Sequence, residues 1–465
     1  MQLTKPFLLI LCAASATSCT VGPKFKKPQP DMPADFASRA GAARGDAVDA
    51  AWWRKLNDST LNDLIAQASA QNKDIAAAQS RLFEARALWR EAVFNYAPTV
   101  TVGNTYSQTR NGLTTPAGRQ ARNNELYRVG FDADWEIDIF GRVRSSVRAA
   151  KATSAAVEAD LNDLLITLQS EVALNYLELR GAQAQLAVAR ENATNQAEAM
   201  RIAEVSLKGG KGTQLDVARA NSLWNSTQAQ IPTYEENVAR SIHRIAVLCG
   251  RQPSDLRPQL GVSKRQPSVP SRINIVSPAD LLRRRPDIRA AENALAAETH
   301  RVGIAVADLF PRVTFNGRIN LEGQTIASLG QSGADAFTFG PRITWAFLNL
   351  GRVRQQIKAA GHRADAALSR YEQTVLLALE ETENALTSYD RERVRLRHLE
   401  ASASSAREAA TLARQRYQDG IADFLAVLDA ERVAINVQND VVLSRARAAA
   451  AWVRIYKAMG GGWEG

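Results

Sequence analysis

The chain has 465 residues, of which 45% are hydrophobic and 23% charged, with a net charge of +10; this is the balance of a folded protein rather than a disordered one. Aromatic residues at 6% argue against an all-β sandwich or propeller. No run of about 18 apolar residues is present to form a membrane-spanning helix, and Lys and Arg are interleaved with Asp and Glu, unlike the concentrated basic patch of a nucleic-acid-binding domain.

The N-terminus is laid out as a secretory signal. Lys5 precedes an apolar run from Phe7 to Ala14, and the small residues Ala16, Thr17 and Ser18 precede Cys19. The ATSC tetrapeptide resembles the lipobox of bacterial lipoproteins, with Ala16 where Leu is usual. This implies removal of the signal peptide 1–18 and a covalent lipid on Cys19. Of the three cysteines, Cys12 leaves with the signal, and an acylated Cys19 forms no disulfide with Cys249. Thr20 follows the cysteine, where Asp is associated with inner-membrane retention, so sorting to the outer membrane is implied. An ordinary cleaved signal with a free Cys19 is the alternative.

The rest of the chain is an internal duplication. WEIDIFGRVR (135–144) recurs as WAFLNLGRVR (345–354), an offset of 210. The same offset pairs Gly210 with Gly420, Leu215 with Leu425, and Gly250 with Gly460. Upstream the offset is 213: Asp74-Ile75 pairs with Asp287-Ile288, and PTVT (98–101) with PRVT (311–314). The predicted organisation is an N-terminal segment 19–61, a first repeat 62–250, a linker 251–278, a second repeat 279–460 and a tail 461–465.

Each repeat has one order of elements. A helical pattern, 62–96 in the first copy, runs to a Pro (Pro98, Pro311). Two strand-like segments follow, joined by a polar, Gly-containing loop. Gly141 and Gly351 mark the return to helix. The Pro-free stretches 142–208 and 352–419 predict helices of roughly 100 Å at 1.5 Å per residue. A Gly-rich break and a shorter helix, 214–249 in the first copy, complete the unit. Two shorter helices end to end match one long one, which predicts long helices packed side by side along Ala-rich stripes.

The strands alternate. Tyr127, Val129, Phe131, Ala133 and Trp135 share one face, against Arg128, Gly130, Asp132, Asp134 and Glu136. Val313, Phe315, Ile319 and Leu321 oppose Thr314, Asn316, Arg318 and Asn320, and Phe337, Phe339, Ile343 and Trp345 oppose Thr338, Arg342 and Thr344. Segments of about 9–11 residues with this pattern suit a transmembrane β-barrel; a half-buried soluble sheet is the other reading. One chain supplies only four strands, and open edges cannot sit in lipid, so a barrel requires several copies.

Four blocks resemble the outer membrane factor family, the TolC-like outer-membrane efflux proteins, in its OprM- and NodT-like lipoprotein branch. They are CTVGPKFKKP (19–28), AWWRKLND (51–58) with Leu61 and Leu64, PADLLRRRPDIRAAENAL (278–295) and RYQDGIADFLAVLDAER (416–432). The resemblance spans nearly the whole mature chain. It implies a mixed, mainly α fold: a transmembrane β-barrel of four strands per chain, twelve in a homotrimer, continued by a long periplasmic α-helical barrel. It further implies a passive exit duct for small molecules such as drugs, lipid-anchored in a Gram-negative outer membrane and extending into the periplasm. The expected partners are a periplasmic membrane-fusion adaptor, through it an inner-membrane pump, and outer-membrane lipid, with no nucleic acid. A type I secretion duct for polypeptides, or a periplasmic coiled-coil adaptor lipoprotein, are the competing readings; the paired amphipathic strands disfavour the adaptor.

The resemblance also assigns residues. Leu425 and Asp429, four apart on one helix face, match the periplasmic constriction of this branch. Their first-repeat equivalents are Leu215 and Arg219, and Arg219 is a candidate partner for Asp429. Asp216 matches a tip carboxylate of the TolC-type gate, whereas Ala422 stands where that gate carries Arg. The tip glycines Gly209, Gly210, Gly212 and Gly420 lie farthest from the membrane on a long coiled coil and permit close approach, so they are expected to dock the adaptor. Tyr127, Phe131, Trp135, Phe315, Phe337, Phe339 and Trp345 are expected to face lipid, the two Trp near the periplasmic rim.

Catalytic chemistry finds no support. GGKGT (209–213) fails as a phosphate loop, because Gly212 and not Ser or Thr follows Lys211 and no strand precedes it. His243, His300, His362 and His398 lack metal-binding spacing. No GxSxG motif occurs and the methionines do not cluster. The expectation is no enzyme, no metal and no cofactor besides the lipid on Cys19.

Overall fold

The computed structural model describes residues 20–38, 43–44, 49–120, 122–270 and 273–463. The signal 1–18 and Cys19 lie outside these described residues. The helices are α1 (Ser59–Gln71), α2 (Lys73–Phe94), α3 (Arg142–Lys208), α4 (Gln214–Leu248), α5 (Pro278–Arg284), α6 (Pro286–Ala307), α7 (Leu350–Gln418) and α8 (Phe424–Ala458). The strands are β1 (Thr99–Arg110), β2 (Asn123–Ile137), β3 (Arg312–Gly323) and β4 (Asp335–Thr344). The chain forms two compact units, one of Met1–Gln29, Arg81–Glu158 and Ala290–Glu372, the other of Pro30–Ser80, Ala159–Arg289 and Gln373–Gly465.

The first unit holds the sheet. Its four strands are antiparallel in the order β1-β2-β3-β4, so each repeat contributes one hairpin and the hairpins join through β2 and β3. The exit from β2 into α3 is built locally. Gly141 takes φ +82°, where a Cβ would press on Thr20. Asp138 then accepts the backbone N–H groups of Val143 at 3.1 Å and Arg144 at 2.9 Å, satisfying the first free donors of the long helix. The start of the described chain is fastened here: Val21 N–H donates to the Phe140 carbonyl at 3.1 Å, and Lys27 pairs with Glu292 at 2.7 Å. Packing is thin and alanine-based, with Ala152, Ala296 and Ala297 buried around Phe25.

The second unit holds the main apolar core. The AWWRKLND block supplies its centre: Trp52 is fully buried, stacks on Tyr456 at 5.7 Å and meets Trp452 edge-on at 5.7 Å. Leu61, Leu64, Tyr176 and Leu177 surround it. Asp58 caps α1 by accepting Leu61 N–H at 3.1 Å and takes a hydrogen bond from the Tyr176 hydroxyl at 2.6 Å. Cys249 is buried in this core as a free thiol, and burial pushes it up to about 11; such a thiol is inert at neutral pH.

One expectation changes. The single helix read over 62–96 is two helices, parted at Asn72, whose backbone leaves the helical region at ψ 135°. The Asn72 side chain stabilises the break by accepting Asp74 N–H at 2.8 Å and Ile75 N–H at 3.1 Å. In the second repeat Pro286 parts α5 from α6 at the equivalent place, since a Pro disfavours helical backbone in the residue before it. The long helices run unbroken for 67 residues in α3 and 69 in α7. Among the described residues no helix is long and apolar enough to cross a membrane.

Candidate functional site

The sheet presents two unlike faces. On one, opposite charges pair across strands, Asp132 with Arg318 at 2.6 Å and Arg128 with Glu322 at 2.7 Å, and the Asn316 amide donates a hydrogen bond to Asp134. On the other, the register aligns Val102, Phe131, Ile319 and Phe337 in one row across all four strands. These are 73%, 55%, 68% and 68% exposed. Phe315, Phe339 and Trp345 are exposed as well, Phe337 stacks on Phe339 at 5.5 Å, and half-buried Tyr127 meets Tyr106 at 4.7 Å. A contiguous bare face of this kind marks an apolar partner surface. Among the described residues the outer strands β1 and β4 each have one neighbour in this sheet, so each presents a row of backbone donors and acceptors without a strand partner there.

Two indoles finish the face. Trp135 Nε1 donates to the Tyr96 carbonyl at 3.0 Å, and Trp345 Nε1 to the Leu309 carbonyl at 2.9 Å. Both bonds link the end of a strand to the end of the preceding helix, so each ring is anchored at its polar edge and part-exposed, Trp345 also meeting Phe347 at 5.6 Å, the disposition of interfacial Trp. A quencher attached to lipid should therefore dim the fluorescence of variants that keep only Trp135 or only Trp345. Quenching by aqueous iodide with no lipid effect would place the sheet in water.

The tips are built in the second unit. The α3–α4 turn closes with Lys211 N–H to Ser206 carbonyl at 2.9 Å and Gly210 N–H to Leu207 carbonyl at 3.1 Å; the α7–α8 turn repeats this with Ile421 to Arg416 at 2.8 Å and Gly420 to Tyr417 at 3.0 Å. The pattern needs a left-handed residue, and Gly210 and Gly420 supply it at φ +68° and +75°, with open space around both. Gly209 and Gly212 complete the first turn, packing back on Val205 and Ser206. Thr213 and Asp216 form a reciprocal cap at the start of α4, so Asp216 spends its carboxylate locally. Phe424 is buried against Tyr417 at 5.1 Å and anchors the second tip with Val427 and Leu428.

Leu425 and Leu215 are 48% and 56% exposed, apolar side chains without cover in a single chain. Asp429 pairs along its own helix with Arg432 at 2.8 Å. Arg219 is exposed and has no carboxylate partner among the described residues. The residue that sequence reasoning passed over is Glu431: it is buried and pairs with Arg414 across the two helices at 2.6 Å. Arg414 stands four residues before the end of α7 and Glu431 seven after the start of α8, an unequal spacing that carries no signal in the sequence.

A second overlooked cluster sits at the far end of α8. Arg285 of the LLRRRPDI segment holds Asp287 through Nε at 3.1 Å and Nη2 at 2.8 Å. Asp163 lies beside it, and its carboxyl is pushed up to about 6, first by burial and then by Asp287, against the opposing influence of Arg285 and Lys457. A carboxyl raised in the folded state binds protons there that the unfolded chain does not, so its stabilising contribution is full below the unfolded value and falls as pH rises through about 6. Asp163→Asn should therefore melt higher than the parent at about pH 7.5, with the gap closing toward about pH 5. Circular dichroism of the detergent-solubilised protein reads this; a variant that melts lower at neutral pH rules it out.

Three comparisons connect this geometry with known proteins. The model of the family described as "Outer membrane efflux protein" matches residues 64–251 and 278–461. The chain belongs to the outer membrane efflux protein family. Nodulation protein T of Rhizobium leguminosarum bv. viciae is 30% identical, the alignment covering 96% of this chain and 91% of that protein. The toluene efflux pump outer membrane protein TtgI of Pseudomonas putida is 29% identical, over 96% of each chain. Among solved structures, the outer-membrane channel OprN superposes with a TM-score of 0.91 and 38% identity, covering 96% of this chain and all of that one. The efflux protein shares their fold, mainly long helices with one four-stranded sheet, and their location in the Gram-negative outer membrane. It is a conduit and not an enzyme. Among the described residues no group of three His, Cys, Asp or Glu could hold a metal ion.

Proposed function

We propose that three copies assemble into the exit duct of a tripartite pump, each contributing its four strands to a twelve-stranded barrel. The observation that carries this is the sheet: one apolar face is bare, and among the described residues both edges lack a strand partner. Unpaired edges in lipid cost several kcal/mol per polar group, and pairing β1 of one copy with β4 of the next removes that cost. The duct passes small molecules outward, a reading favoured over polypeptide secretion by relatives named for toluene efflux and pyoverdine export. It engages a periplasmic membrane-fusion adaptor at the tips around Gly210 and Gly420, and an inner-membrane pump through that adaptor. The tip is shut at rest by Leu425 and Asp429, with Leu215 and Arg219 on the neighbouring hairpin.

Cys19 carries the lipid anchor. Thr20, the next residue, lies against Gly141 where β2 turns into α3, and this closeness of the start of the described chain to the strands supports the anchor reading. The test is expression with the cognate pump and adaptor in a strain lacking its own duct. Dye export should return, the protein should run as a heat-modifiable trimer in outer-membrane fractions, and Cys19→Ser should abolish labelling by a fatty-acid analogue while trimers persist through the barrel. A monomer that restores no export sinks the duct reading; label retained in Cys19→Ser sinks the anchor.

A further inference from the structure

The two repeats close by the same joint made from different chemistry. In the first, Asn72 spans the break between α1 and α2 and donates from Nδ2 to the carbonyl of Leu248, the last residue of α4, at 2.9 Å. The duplication offsets of 213 and 210 carry Asn72 to Arg285 and Leu248 to Ala458. There Arg285 spans the break between α5 and α6 and donates from Nη1 to the carbonyl of Ala458, the last residue of α8, at 2.8 Å.

Asn72 makes one neutral bond to α4. Arg285 grips Asp287 with two further nitrogens and also reaches Glu381, in the middle of α7, at 2.9 Å. The equivalent of Glu381 is Glu171, which pairs instead with Arg244 at 2.9 Å. Arg285 is buried, so its bonds are little screened, and a guanidinium fork on a carboxylate fixes direction as well as distance.

The joint sits at the root of a lever. Leu425 lies 33 residues before Ala458 on one helix, about 50 Å at 1.5 Å per residue. A tilt of about 5° at the root displaces Leu425 by about 4 Å, the width of an apolar contact. Holding the tip closed therefore demands a stiff root.

We propose that Arg285 is a positioning residue for the periplasmic gate. By locking the root of α8 and the middle of α7 to the start of α6, it holds Leu425 and Asp429 in the closed setting, while the first repeat, joined to α4 through Asn72, is the softer wall. This rests on the gate reading above.

The test is single-channel conductance in planar bilayers, with heat-stable trimer measured alongside. Arg285→Gln should raise resting conductance at least about twofold with trimer unchanged. Arg285→Lys keeps the charge without the fork and should fall between, and Asn72→Ala should stay near the parent. If Arg285→Gln yields no trimer, Glu381→Gln decides, because it removes Arg285's arm to α7, together with Glu381's longer contact to Lys457 at 3.7 Å, and leaves the bonds to Ala458 and Asp287; it should also raise conductance, and Lys457→Gln, which removes only the longer contact, should stay near the parent. Parental conductance in Arg285→Gln and Glu381→Gln overturns the proposal, as does an equal rise in Asn72→Ala. The double variant Leu425→Ala with Asp429→Ala separates the two readings. If it opens the channel while Arg285→Gln does not, the gate stands and the joint falls. If Arg285→Gln opens the channel and the double variant does not, the joint stands and the constriction lies elsewhere on α8.

Discussion

Leu425→Ala combined with Asp429→Ala should raise resting single-channel conductance several-fold and admit vancomycin to cells that otherwise exclude it. A duct left open at rest would leak through the outer membrane, so the tip needs a seal. Leu425 is half exposed in one chain, and gathering three such side chains around an axis buries them against one another. Fully burying a Leu is worth about 1.5–3 kcal/mol, so a half-buried Leu gains about 1 kcal/mol and three gain about 3 kcal/mol. The Asp429–Arg432 pair is exposed on both sides, and such pairs contribute under about 1 kcal/mol. The Leu ring is therefore the larger part of the seal. Leu425→Ala alone should open the channel more than Asp429→Ala alone, and Arg219→Ala should give a still smaller change of the same sign. Parental conductance in the double variant would falsify the gate and leave Asp429 a solvated helix residue.

Replacing both Gly210 and Gly420 with Trp should reduce efflux to the level of a strain without the duct, at unchanged trimer abundance. The two turns are equivalent in backbone and hydrogen bonding, and a Cβ at either glycine meets nothing within 4 Å. The substitution therefore costs backbone strain, about 1–2 kcal/mol for a left-handed residue, and no packing inside the chain. Both turns are exposed and far in sequence from the core around Trp52, so this strain stays local. A large ring in that open space instead occupies the volume an adaptor's helical hairpin would need. Dye export measured with the cognate pump and adaptor distinguishes the two effects. Normal export from the double Trp variant means that docking does not use the tips; lost export together with lost trimer means that the glycines serve folding alone.

Much of this was legible in the residues. The repeat was visible because Trp135 and Trp345 head matching GRVR segments at a constant offset, and the long helices because no Pro interrupts them. The strands were visible because Phe131, Ile319 and Phe337 alternate with charged or polar neighbours. The break at Asn72 was not, because an Asn in a helical pattern costs little by propensity; its bonds from Asp74 and Ile75 N–H and its bond to the Leu248 carbonyl, far along the chain, together hold the break there. Arg285 and Glu431 were legible only as members of the blocks that mark the family, not as a joint and a buried pair.

Sequence alone determined the local periodicities, the turn glycines, the duplication and the blocks that mark the family, because each depends on residues near one another in the chain or on a direct match between segments. Tertiary structure decided which strands are neighbours, that the Val102–Phe131–Ile319–Phe337 row lies bare while the opposite face is paired, that the indoles of Trp135 and Trp345 bond back to helix ends, and that Arg285 closes on Ala458. Those facts depend on contacts between residues as much as some two hundred positions apart. Their partners are chosen by burial and hydrogen-bond satisfaction across the folded chain, and no local pattern encodes them.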